Sequence, residues 1–215
     1  MVTISERLWD AAKAGSETRL KALLQNPGCD VLSRDYNGFT ALMHATREGH
    51  EACVRLLLPM SDVLVGDAYG VTALMWAAYY GNEMCLSLLL PTSNALGRDS
   101  GGMTALMYAA RYGHQMCLVR LLPESDVLSQ SEGGLSALMW AANHGFKACV
   151  GILLPVSDVW AKDVNERTAS KKARSAGFNS LGQFIDAYAL AQSERINIET
   201  AVCPGGPSGM SAPRL

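Results

Sequence analysis

Six consecutive residues return four times without slippage, and that recurrence leaves few folds open. Gly38-Phe39-Thr40-Ala41-Leu42-Met43 is followed by Gly70-Val71-Thr72-Ala73-Leu74-Met75, Gly102-Met103-Thr104-Ala105-Leu106-Met107 and Gly134-Leu135-Ser136-Ala137-Leu138-Met139, each 32 residues after the last. Gly49, Gly81, Gly113 and Gly145 keep the same beat, as do Cys53, Cys85, Cys117 and Cys149, and Pro59, Pro91, Pro123 and Pro155. Self-similarity at this period marks one small supersecondary unit repeated in tandem.

Each unit reads as helix, tight turn, helix, long loop. Thr40 suits an N-cap, its hydroxyl accepting a free N–H of the first turn. Residues 41–47 form a short helix with Leu42 and Ala45 on one face, and the small residues 45 and 46 let a neighbour approach closely. Gly49 ends it in a left-handed conformation. A second helix spans 51–58, with Cys53, Val54, Leu57 and Leu58 as its apolar stripe. Pro59 stops it and is expected to push Leu58 out of the helical region. An extended loop follows, with a turn at 67–70. Helices this short do not persist alone in water, so the units must stack. The expected fold is an all-α solenoid of about six units.

Asp35-Tyr36-Asn37-Gly38-Phe39-Thr40-Ala41-Leu42-Met43-His44-Ala45-Thr46-Arg47-Glu48-Gly49-His50, with Leu56-Leu57-Leu58 beyond it, resembles the ankyrin repeat at most of that family's fixed positions. The usual Pro and His of the family's Thr-Pro-Leu-His motif are Ala and Met here, and the repeat is one residue short. This Thr-Ala-Leu-Met variety resembles the large ankyrin families of diplomonad parasites. The resemblance implies a non-catalytic interaction module or scaffold that holds a protein partner in its concave groove, probing it with loop tips and the exposed side of each first helix. The matching positions are Tyr36, Phe39 and Arg47 in the first full unit, and Tyr69, Trp76, Tyr79 and Tyr80 in the second. Arg98, Tyr108, Arg111 and Tyr112 follow in the third, and Trp140, Asn143 and His144 in the fourth. Tyr, Trp and Arg dominate interface hot spots. The column His44, Trp76, Tyr108 and Trp140 reads equally as contact or as core.

The ends depart from the pattern. Residues 1–34 read as an N-terminal capping unit, 35–162 as four full repeats, and 163–198 as a degenerate C-terminal cap. There Ser170, Lys171 and Lys172 give a polar outer face, and Leu181, Phe184, Ile185 and Tyr188 an amphipathic stripe. Residues 199–215, rich in Pro, Gly and Ser, are expected to be disordered.

Charged residues make up only 18% of the chain and the formal net charge is -2, which gives no long-range pull toward nucleic acid or an anionic membrane. The N-terminus lacks the apolar run of a signal peptide and no stretch is long enough to span a bilayer, so the cytoplasm is the expected compartment, with cytoskeletal association open. The four column cysteines are expected to be buried thiols, because stacked helices lie about 8–10 Å apart and a disulfide needs Cα atoms within about 7 Å. No Cys-x-x-Cys pair suggests zinc. His44, His50, His114 and His144 fall on no nucleophile–base pattern, and the Gly-rich stretches at 100–102 and 131–134 lack the Gly-Lys-Ser/Thr of a phosphate loop. The expectation is a protein that is no enzyme, uses no cofactor, metal or small-molecule substrate, and acts as a monomer on a protein partner. Self-association into a structural or cytoskeletal assembly is the alternative.

Overall fold

The computed structural model describes residues 3–202. Among them twelve α-helices form six pairs. The first helices of the pairs are α1 (Ile4–Lys13), α3 (Ala41–Arg47), α5 (Ala73–Tyr80), α7 (Ala105–Tyr112), α9 (Ala137–Asn143) and α11 (Ala169–Ser175). The second helices are α2 (Glu17–Leu24), α4 (Glu51–Leu57), α6 (Glu83–Leu89), α8 (Gln115–Leu121), α10 (Lys147–Leu153) and α12 (Asn179–Val202). Each pair touches the next, first helix on first helix throughout and second on second from α2 to α10. This is the stacked all-α solenoid that the repeat predicts.

Local chemistry starts and stops each first helix. The hydroxyls of Thr40, Thr72, Thr104, Ser136 and Thr168 accept the N–H three residues on, at 3.3–3.5 Å. Glycines at positive φ end them, with Gly81 at 73° and Gly113 at 77°. Proline does not act as expected. Leu58 remains helical (φ -52°, ψ -45°), and Pro59 sits inside a 3-10 turn, Leu58–Met60, that continues α4. The tighter turn satisfies a carbonyl at the end of α4 through Ser61 N–H to Leu58 O at 3.4 Å. Pro91 and Pro123 do the same.

One continuous apolar core runs the length of the array. Its centre is small on the first-helix side, where Ala45, Ala77, Ala78, Ala109, Ala110, Ala141 and Ala142 are fully buried. These alanines let the first helices approach one another closely, and neighbouring first helices meet more extensively than neighbouring second helices do. Beyond the helices, the turn tips are stitched by single backbone bonds. Ala68 N–H donates to Asn37 O, Ser100 to Tyr69, Glu132 to Gly101 and Val164 to Gly133, at 2.9–3.3 Å. The turns need a left-handed residue, and where Gly is missing Glu166 adopts φ 58°.

The last unit differs from expectation. Ser170 and Lys172 do not face outward: both are buried, Ser170 donating to Gly182 O at 3.2 Å and Lys172 paired with Asp163 at 2.9 Å. Helix α12 carries helical backbone as far as Val202, so the expected tail begins inside a helix, and 203–215 lie outside the described residues. Among the described residues no helix is long and apolar enough to cross a membrane.

Candidate functional site

The first-helix face is built on a clamp that recurs in four of the five turns. Asp35 Oδ1 accepts the N–H groups of Asn37 and Phe39, both at 2.9 Å, while Oδ2 takes the imidazole Nε2–H of His44 at 2.9 Å. Asp67 binds Tyr69 N–H, Val71 N–H and Trp76 Nε1–H in the same way. Asp99 binds Gly101 N–H, Met103 N–H and the Tyr108 hydroxyl, and Asp163 binds Asn165 N–H, Arg167 N–H and Lys172. The residue nine positions after each Asp thus ties its own helix to its own turn. In the fourth unit the Asp is replaced by Ser131, and the buried Trp140 Nε1–H has no partner among the described residues.

The clamp decides the ambiguous column. His44 and Tyr108 are core, and Trp76 and Trp140 are half-buried. Tyr108 was an expected contact. Instead it is 9% exposed, because its hydroxyl is drawn inward to Asp99. Phe39, also expected to be a contact, is 7% exposed and packs between His44 and Trp76 with ring centroids 5.1 Å from each. Arg98 lies at the surface but spends its guanidinium on the next unit, donating to Gln130 O at 2.7 Å and Ser129 Oγ at 2.9 Å.

The remaining candidates form one connected surface. Trp76 meets Tyr79 and Tyr80 at 5.4 and 5.9 Å, and Tyr79 meets Tyr112 at 4.1 Å. Arg111 continues the line, its guanidinium 5.5 Å from the Tyr112 ring and 4.5 Å from the Trp140 ring. Trp140 then meets His144 at 5.9 Å. Arg47 extends the other end over Phe39 at 5.6 Å, but is paired with Glu48. Tyr36 and Tyr69 project from the turn tips, 94% and 70% exposed, and Asn143 lies half-buried beside His144. Burial and a hydrogen bond with Tyr79 push the Tyr112 hydroxyl up to about 12, so it stays protonated and can donate.

The imidazoles and thiols of the described residues are committed elsewhere. His50 Nε2 lies 2.8 Å from Lys13 O and His114 Nε2 2.9 Å from Tyr79 O, each closing the preceding unit's first helix, while His144 Nδ1 lies 3.0 Å from Trp140 O. Asn82 fills the same role through Thr46 O and Arg47 O, whereas Phe146 and Phe178 cover Gly113 and Gly145 by ring contact alone. Cys53, Cys85, Cys117 and Cys149 are buried thiols, and burial pushes Cys85 and Cys117 up to about 11. Among the described residues no three His, Cys, Asp or Glu side chains converge as a metal ion would require.

His44 makes the fold acid-sensitive. Burial disfavours its charged form and outweighs the Asp35 carboxylate, bringing it down to about 4, and its Nδ1 has no partner to accept a second proton's hydrogen bond. The unfolded chain therefore takes up more protons below the ordinary histidine value, and the stability present above pH 6.5 drains away as the pH falls toward 4. A loss of about 2 kcal/mol is expected between pH 7 and pH 5 in urea unfolding. His44→Tyr, the residue of the third unit, should flatten that segment of the profile.

A second surface escaped the sequence reading. Leu32, Leu64, Leu96, Leu128 and Trp160 are all more than half exposed, one per unit. In each, the backbone N–H bonds the Asp or Asn two residues before, which turns the apolar side chain outward. The signal was present as a fixed column after Asp/Asn-Val/Ala.

Compared with known proteins, a family model described as ankyrin repeats (3 copies) matches residues 8–99 and 92–168. No curated protein matches the chain.

Proposed function

Because this chain belongs to the ankyrin-repeat family, a family of protein–protein interaction modules, we propose that it is a non-catalytic module that holds a protein partner along its first-helix face. The observation that carries the reading is the unbroken line Trp76, Tyr79, Tyr80, Tyr112, Arg111, Trp140 and His144. It crosses three units, with Tyr80 and His144 exposed and the other five half-buried. Rigid aromatics and arginine bury much area at little conformational cost, which is why they anchor interfaces. Commitment of the histidines to carbonyls and turns, and of the thiols to the core, supports a binding role over catalysis. Buried unpaired thiols suit a reducing compartment such as the cytoplasm. The Thr-Ala-Leu-Met form of the motif extends the likeness to the diplomonad arrays.

The test is a combined Tyr79→Ala, Tyr80→Ala, Arg111→Ala and Tyr112→Ala variant, compared with the wild type on partners recovered by affinity purification and mass spectrometry. Loss of two hot spots alone is worth about 4 kcal/mol, a drop of about a thousandfold. The helical circular dichroism should persist. Capture that survives the four changes would overturn the proposal.

A further inference from the structure

Cations withdrawn from solvent need a counter-charge, and the first helices hold three of them. Arg47 is half-buried and paired with Glu48 at 2.8 Å, and Lys172 is buried and paired with Asp163 at 2.9 Å. Arg111 is half-buried too, yet it makes no hydrogen bond or ion pair among the described residues. Its guanidinium lies over the Tyr112 and Trp140 rings, which attract it without neutralising it. Asp99, at the turn leading into the same helix, is already committed to two backbone N–H groups and the Tyr108 hydroxyl.

We propose that the partner presents an acidic side chain, the carboxylate of an Asp or Glu in a peptide segment, to the guanidinium of Arg111. The proposal rests on the first-helix face being the partner surface. A guanidinium already lodged over two rings offers paired N–H donors to a carboxylate at little further entropic cost. Partial burial beside the rings strengthens the pairing relative to bulk water. One positive charge balances one carboxylate. A phosphate dianion would leave charge unmatched, since the next half-buried arginine along the face, Arg47, is spent on Glu48.

The experiment selects binders to the full chain from a phage library of random dodecapeptides, then measures the synthetic winners by fluorescence titration of the tryptophans. Winners are expected to carry Asp or Glu at a fixed position. Changing that residue to Asn or Gln should weaken binding at least tenfold, and Arg111→Gln should do the same. The two changes together should be no worse than either alone, and Arg111→Lys should restore part of the loss. Winners that lose binding on Tyr79→Ala with Tyr80→Ala but show no acidic preference would overturn the carboxylate and leave the groove reading intact. Winners indifferent to every groove change, or no winners at all, would count against both. A phosphoserine replacing the acidic residue and binding tenfold tighter would overturn the choice of carboxylate.

Discussion

Gly134→Val is expected to lower stability by about 3–5 kcal/mol, the sum of a left-handed residue's penalty and overpacking. Gly134 sits at φ 73°, and a Cβ there would lie 2.9 Å from the backbone nitrogen of Val164 and 3.0 Å from Asp163 Cα. Backbone cannot give way as a flexible side chain can. The same contact carries the Val164 N–H to Gly133 O bond that joins the fourth turn to the last. The damage should therefore fall first on the final unit, with amide protection in α11 and the start of α12 lost at lower urea than in the rest of the array. Gly151→Ala is the matched control. Gly151 lies within α10 with nothing within 4 Å of its would-be Cβ, so this change should be neutral or stabilising by up to about 1 kcal/mol. A wild-type urea midpoint for Gly134→Val would refute the account of the turn tips.

The second large effect exchanges the clamp between units. Asp99→Ser strips the acceptor from Gly101 N–H, Met103 N–H and the buried Tyr108 hydroxyl, and a serine oxygen reaches one of them at best. Two unmet donors at about 1–3 kcal/mol each put the expected loss near 3 kcal/mol. Ser131→Asp should run the other way. It supplies the missing acceptor to Trp140 Nε1–H, whose counterpart Trp76 reaches Asp67 at 3.2 Å. A gain of about 1–2 kcal/mol is expected in thermal or urea unfolding, together with a change in tryptophan emission as the indole finds its partner. If Ser131→Asp destabilises the fold, the clamp is not a transferable part of the unit.

Much of this fold is legible because each decision is local. Thr40 caps where it stands, Gly49 turns where it stands, and the 32-residue beat then copies those decisions along the chain. The misreadings share a different cause. The bias against helical geometry before proline failed at Leu58 because a 3-10 turn absorbs Pro59 without leaving the helical region. Tyr108 looked like a contact because only three dimensions reveal that an Asp nine residues earlier draws the column inward, and Phe39 because only three dimensions place His44 and Trp76 against its ring. Ser170 and Lys172 looked like a polar exterior because nothing local says that Gly182 O and Asp163 wait to receive them. The exposed row from Leu32 to Trp160 was passed over for the opposite reason. A search among positions that vary between units cannot find a surface made of a position that hardly varies.

The joints between units are not all alike, and this has a mechanical consequence. At the early joints a His or Asn donates to a carbonyl of the unit before, whereas Phe146 and Phe178 only lie across a glycine. Hydrogen bonds weaken steeply when tilted, while apolar contact tolerates sliding. On this side of the stack polar contacts thus hold the first three joints and ring contacts the last two, while backbone bonds at the turn tips join the later units as well. A guest seated across Tyr112 and Trp140 straddles the place where one kind of joint gives way to the other, and gripping both sides would couple them.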